Sequence, residues 1–322
     1  MSDHSHPHGA ASGRAVEAQA SGPWPHSSDD PTATKTLRSN YAGEMFRRFR
    51  ALKGAIRTSV VERDAFGLGQ NRGATQANAV AANQGQDAGI NISPAGYNEF
   101  DFPSDERRVR AFNEWLARQV DRGILEARFH ERDVTAAEPW QNVYLRSSYE
   151  KGVTHADAAL NEQGVIAPDE ALDDVFRATK HADAAGMLFT RAYNELDGVT
   201  SEMSRQMSRE LTEGFLQGEN PRKIARRLND RVDNVGLHRG RLIARTETIR
   251  AHNEGALNRY EDVRNRLDGV TTLAEHVTAG DARVCPVCAT LAGSTYKLDE
   301  ARGRIPVHPN CRCTWVPVTR SS

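Results

Sequence analysis

Every cysteine of this chain lies in one short stretch near its end. Cys285-Pro286-Val287-Cys288 sets two thiols on one tight turn. His308-Pro309-Asn310-Cys311-Arg312-Cys313 brings an imidazole and two further thiols. Two ligands on each of two turns is how a chain offers zinc a tetrahedral site, and this spacing falls in the range of structural zinc knuckles. The expected ligands are Cys285, Cys288, His308 and Cys311, with Cys313 able to replace His308 or Cys311, so five residues compete for four places. Two disulfides are the alternative. Synthesis in a reducing compartment favours zinc, whereas a protein that later leaves the cell could pair its thiols. Either way the group reads as a staple, because the segment has few large apolar residues and small modules of that kind need a cross-link.

A catalytic metal is a competing reading. His252-Asn253-Glu254 is an H-x-E upstream of the C-x-x-C, and zinc nucleobase deaminases join H-x-E to P-C-x-x-C with the glutamate shuttling protons. Here Val284 precedes the first cysteine, the β/α alternation of such enzymes is missing, and His308, Cys311 and Cys313 are left without a role. The trio also falls within a helical stretch, where it reads as a solvated face. Glycine-rich phosphate loops, nucleophile elbows and H-E-x-x-H are absent as well. The expectation is therefore a non-enzyme without a small-molecule substrate.

A window of arginines offers electrostatic chemistry instead. On a helix, Lys223, Arg226, Arg227 and Arg231 line one side beside Ile224 and Leu228, with Arg222 at its start. Such a row could neutralise phosphates without reading bases. It could equally be a solvated face or pair with acids of a partner. Arg245-Thr246-Glu247 reads either as an internal ion pair or as plain surface. The whole chain carries 42 basic and 43 acidic residues, so any attraction to nucleic acid must be local.

Elements must position these groups. The composition is polar, 38% hydrophobic and 7% aromatic with a mean hydropathy of −0.64, which suits an elongated, mainly α protein. No run approaches the roughly 18 apolar residues of a membrane span, and the first residues lack a secretory pattern. Residues 1–33 read as a disordered tail in which His4, His6 and His8 are solvated. Leu37, Tyr41, Met45, Phe49, Leu52, Ile56 and Val60 recur at helical spacing, with Arg47, Arg48, Arg50, Lys53 and Arg57 on the solvated face. Residues 66–96 are rich in Gly, Asn, Gln and Ala and read as an extended arm. Further helices are expected from Ser104, after Pro139, from Pro168, over Leu211–Leu216, from Asn220-Pro221 as cap and first turn, and over Arg239–Tyr260. Val175, Phe176, Met187, Leu188 and Tyr193 fit packing positions. After Gly269 short strands are expected at 270–273, 275–278, 296–298 and 315–318. The chain thus divides into the tail, a helical region over 34–260 with its arm, and a small β-containing module over 261–322.

Taken in order, Arg245-Thr246-Glu247, Asn253, Thr278-x-x-Asp281-x-Arg283-Val284-Cys285-Pro286-x-Cys288, Gly293, Tyr296 and His308-Pro309-Asn310-Cys311-Arg312-Cys313 resemble the phage Mu F-like head morphogenesis family of minor capsid proteins. Asp30-Pro31-Thr32-Ala33-Thr34, the long first helix and the Gly218-x-Asn220-Pro221 segment resemble its upstream part. His276 departs from the pattern, standing where a bulkier aromatic or hydrophobic residue is expected, and reads as packing rather than a sixth ligand. The resemblance implies a structural virion component made in the host cytoplasm and bound at the portal vertex inside the head. Its implied partners are the portal protein, other head proteins and, through phosphates, packaged viral DNA; its implied task is head assembly and DNA packaging or delivery. A zinc-stapled DNA-binding or regulatory module is the alternative of a different class, and the deaminase-like enzyme a third.

Overall fold

The computed structural model describes residues 30–68, 105–126, 139–167, 172–267 and 269–321. Most of the tail expected over 1–33, and the arm expected over 66–96 from residue 69 onward, lie outside the described residues. The last residues assigned to the tail are packed: Asp30 and Thr32 are buried. The Asp30 carboxylate accepts from Thr32 Oγ1 at 2.7 Å and from the Lys35 N–H at 2.6 Å, and it pairs with Arg38 at 2.9 Å. Thr34 makes no side-chain cap, so Asp30 satisfies one of the exposed N–H groups at this helix start, that of Lys35, and complements the helix dipole.

Helix α1 (Lys35–Arg57) runs into a π-helical turn (Thr58–Glu62). Tyr41, Met45, Phe49, Leu52, Ile56 and Val60 are all buried, as their spacing predicts. The basic face is only partly solvated. Arg48 pairs with Glu44 and Glu126 and lies over the Trp140 ring, and Lys53 pairs with Asp233 at 2.6 Å. Helix α2 (Asp105–Val120) buries Phe112, Leu116 and Val120. Helix α3 (Trp140–Glu162) follows, then the short α4 (Leu172–Arg177).

Helix α5 is one continuous rod, Thr179–Leu216, where the sequence suggests two. Its buried stripe, including Leu188, Leu196, Met203 and Leu211, holds through the interruptions, but Met187 is exposed rather than packed. Gly218, at φ +68, turns the chain. Helix α6 (Pro221–Arg231) then starts as expected, with the Asn220 side chain accepting from the Lys223 N–H at 2.9 Å. A π-helical turn (Val232–Leu237) leads into α7 (His238–Arg266).

Helices α3 and α7 pack almost backbone to backbone. A β-carbon at Gly152 would run into the His252 carbonyl, and one at Gly255 into the Tyr149 carbonyl. Ser148 adds a 2.7 Å bond to the Thr248 carbonyl, and buried Arg259 pairs with Asp157.

Beyond α7 lies a three-stranded antiparallel sheet in the order β2-β1-β3. Strand β1 (Val270–Val277) is a single strand spanning both stretches expected there. It pairs with β2 (Thr295–Lys297) and β3 (Thr314–Ser321), with His276 opposite Trp315. Two short helices, α8 (Pro286–Leu291) and α9 (Leu298–Ala301), complete the module. Its core is shared: Ala156 and Leu160 of α3 and Ile249, Leu257, Tyr260 and Val263 of α7 pack with Ala274, Leu298, Trp315 and three of the cysteines. No helix among the described residues is long and apolar enough to cross a membrane.

Candidate metal centre and the basic helix

Cys285 caps α8, with Pro286 in its first turn. Its Sγ accepts the Cys288 N–H at 3.3 Å, which fixes the first turn of the cluster. His308 approaches from the other turn. Its Nε2 lies 3.1 Å from Cys285 Sγ and 3.2 Å from Cys288 Sγ. Its Nδ1 faces the Pro309 carbonyl at 2.8 Å. A carbonyl only accepts, so Nδ1 carries the proton and Nε2 points its lone pair at the two sulfurs, the arrangement that orients a histidine ligand. Cys288 Sγ is 4.0 Å from Cys311 Sγ. At ordinary Zn–S and Zn–N lengths, neighbouring donors of a tetrahedral site lie roughly 3.4–3.8 Å apart.

Two groups of donor atoms result, Cys285–Cys288–His308 and Cys288–Cys311–Cys313, each with all atoms within 4.8 Å of one another. Either could hold a metal ion, and Cys288 belongs to both. No pair of these cysteines forms a disulfide here. The thiols differ in charge preference. Hydrogen bonding from the Cys313 thiol and from the backbone at Cys313 and Val307 holds Cys311 down to about 5, while donating that bond, together with burial, drives Cys313 far up. Burial pushes Cys288 up to about 12, and the Cys288 N–H lowers Cys285.

The cluster is anchored to α7 by a residue type the spacing argument did not use. Asn253 Oδ1 accepts the Trp315 N–H at 2.9 Å, and its Nδ2 donates to the carbonyls of Ile249, at 2.8 Å, and Cys313, at 3.3 Å. Tyr260 donates to the Trp315 carbonyl at 3.0 Å. His252 and Asn253 are thus buried rather than part of a solvated face. His252 Nε2 lies 3.2 Å from His155 Nδ1, and Glu254 pairs with Arg302. Neither joins the donor atoms gathered around the cysteines, so the H-x-E does not assemble with the C-x-x-C. His276 packs edge-on against Trp315, ring centroids 5.6 Å apart, and takes no place in either donor group.

The cations expected on α6 are mostly consumed within the chain. Lys223 pairs with Glu219 at 2.7 Å, Arg227 with both Glu219 and Glu210, and Arg231 with Glu210 at 2.9 Å. The acids stand on the end of α5 and on the turn that follows it, so the hairpin neutralises its own basic row. Arg222 and Arg226 are exposed. Glu247 is buried and faces Arg191 and Arg250 at 3.3 and 3.5 Å, not Arg245.

No curated protein and no solved structure matches the chain. A family model does match, that described as Phage Mu protein F like protein, over residues 205–316. The matched stretch begins in the second half of α5 and takes in the α5–α6 hairpin, α7, the cysteine cluster and the first residues of β3. Residues 205–316 of this chain carry a Phage Mu protein F like region.

Proposed function

We propose that the chain is a structural minor head protein of a tailed virus, bound in the head interior near the portal and assisting head assembly and the packaging or delivery of DNA. The observation that supports this most is the family match over 205–316, which spans the cysteine cluster and the helices that seat it. The build agrees with a scaffold role: long helices clasp a small terminal sheet, and Cys288, Cys311 and Cys313 sit in the shared core. The portal protein and other head proteins are its proposed partners. In this reading the cluster holds zinc through Cys285, Cys288, His308 and Cys311. Cys311 Sγ lies 4.0 Å from Cys288 Sγ, and Cys313, which gathers with both in one donor group, is its substitute. The metal would cross-link α8 to the 308–313 turn and supply no reaction.

A virus carrying a stop codon early in this reading frame tests the role. Electron microscopy of its lysate should show fewer filled, infectious heads, with yield restored by supplying the wild-type chain in trans. An unchanged yield of infectious particles would overturn the proposal.

A further inference from the structure

Six cations drawn from well-separated stretches of sequence line one open cleft of about 520 Å³. Lys35 and Arg38 come from the start of α1, Arg241 and Arg245 from α7, Arg283 from the turn before Cys285, and Arg312 from between Cys311 and Cys313. Among the described residues, no acidic residue lines the cleft. Two carboxylates stand behind the wall: Asp30 pairs with Arg38 at 2.9 Å, and Asp281 with Arg283 and Arg312 at 2.7 and 2.5 Å. Among the described residues, six cations stand against these two acids.

Arg245 is half-buried and finds no ion-pair partner among the described residues. Burial, and then the repulsion of Arg312 and Arg283, push its pKa below the ordinary arginine value. Arg38 is only 7% exposed, yet its Nη1 has no hydrogen-bond acceptor among the described residues. Unpartnered buried guanidinium donors are costly.

We propose that this cleft binds phosphate groups, carried by a nucleic-acid strand or by a free nucleotide. Guanidinium forks match phosphate oxygens in pairs, and four walls supply them at once. At the same cleft Arg241 lies over the Phe46 ring, 4.8 Å from its centroid. The exposed Arg241, stacked on this ring, offers a guanidinium plane on which a base could lie; an acidic peptide would use the cations but not the stack. The site lies apart from the α6 row, whose cations are largely paired. It rests on the geometry of the cleft and stands whether or not the chain is a head protein.

Fluorescence anisotropy of the full chain tests the proposal, using a short labelled DNA single strand, the matching duplex, and unlabelled pyrophosphate or ATP as competitors. Arg241→Gln with Arg245→Gln should weaken binding about tenfold or more. The slope of log affinity against log salt should fall by about one for each phosphate the variant no longer holds. Arg222→Gln with Arg226→Gln, outside the cleft, should change binding far less. Thermal melting should show the cleft variant folded, since Arg245 gives up no ion pair; if it melts early, Arg241→Gln alone at its exposed position carries the test. Displacement by pyrophosphate or ATP at concentrations near those of DNA assigns a free nucleotide, and retention of the strand against them assigns a polynucleotide. The proposal fails if no phosphate probe binds at low salt, if the cleft variants bind as the wild type does, or if polyglutamate displaces the probe as well as DNA does.

Discussion

Cys311 and Cys313 are separated by one residue and meet opposite surroundings. Cys311 collects hydrogen bonds and is held toward thiolate, whereas Cys313 donates to it and is held as a thiol. The proposed ligand set of Cys285, Cys288, His308 and Cys311 separates the two by substitution. Cys311→Ser should lower bound zinc from about one equivalent to near none, while Cys313→Ser should retain it, both measured by metal analysis of reduced, purified full chain. Zinc lost equally from both variants, or absent from the wild type, would contradict the assignment. The spacing made all five residues visible, because knuckle ligands cluster in sequence. It could not rank them, because the N–H groups that polarise Cys311 belong to the backbone fold of its own turn. Asn253 was legible only through the resemblance. A single amide in a helix carries no pattern, yet this one holds the Trp315 N–H and the Cys313 carbonyl.

Helices whose apolar residues recur without a break could be read directly, as in α1 and its π-helical turn from Tyr41 to Val60 and in the Asn220-Pro221 start of α6. Helix α5 could not. Gly186, Gly198 and the exposed Met187 interrupt its pattern, and burial against α2, α6 and α7 carries the helix across those positions. The pairing of α6 cations with Glu210 and Glu219 was hidden for a related reason, since it needs the turn at Gly218 to fold one helix back on the other. The close approach of α3 and α7 gives this scale its prediction. Gly255→Ala places a methyl group against the Tyr149 carbonyl, a backbone atom with nowhere to move. Overpacking of this kind costs about 1–3 kcal/mol, and here the upper end or beyond is expected, read as a lower denaturation midpoint at unchanged slope. Gly198→Ala, with open space at its β-carbon, should be neutral or slightly stabilising. Equal midpoints for the two variants would contradict the packing described.

Across the whole molecule, the terminal sheet does not own its core. Tyr260, Leu257 and Ile249 from α7 and Leu160 from α3 complete it, so the helical body and the sheet are joined through shared apolar side chains. A boundary drawn at residue 260 follows the change from helical to strand-forming residues, but α7 continues to Arg266 and its buried face serves both sides. The basic cleft is assembled at the same scale from α1, α7 and the two turns of the cysteine cluster; no local window of sequence could reveal it. The proposed role in a virus head is tested most directly by the composition of the particle. Quantitative mass spectrometry of purified particles and of proheads should find peptides of this chain at a few copies against the major capsid protein. Its absence from both, with the chain present in the lysate, would contradict the account.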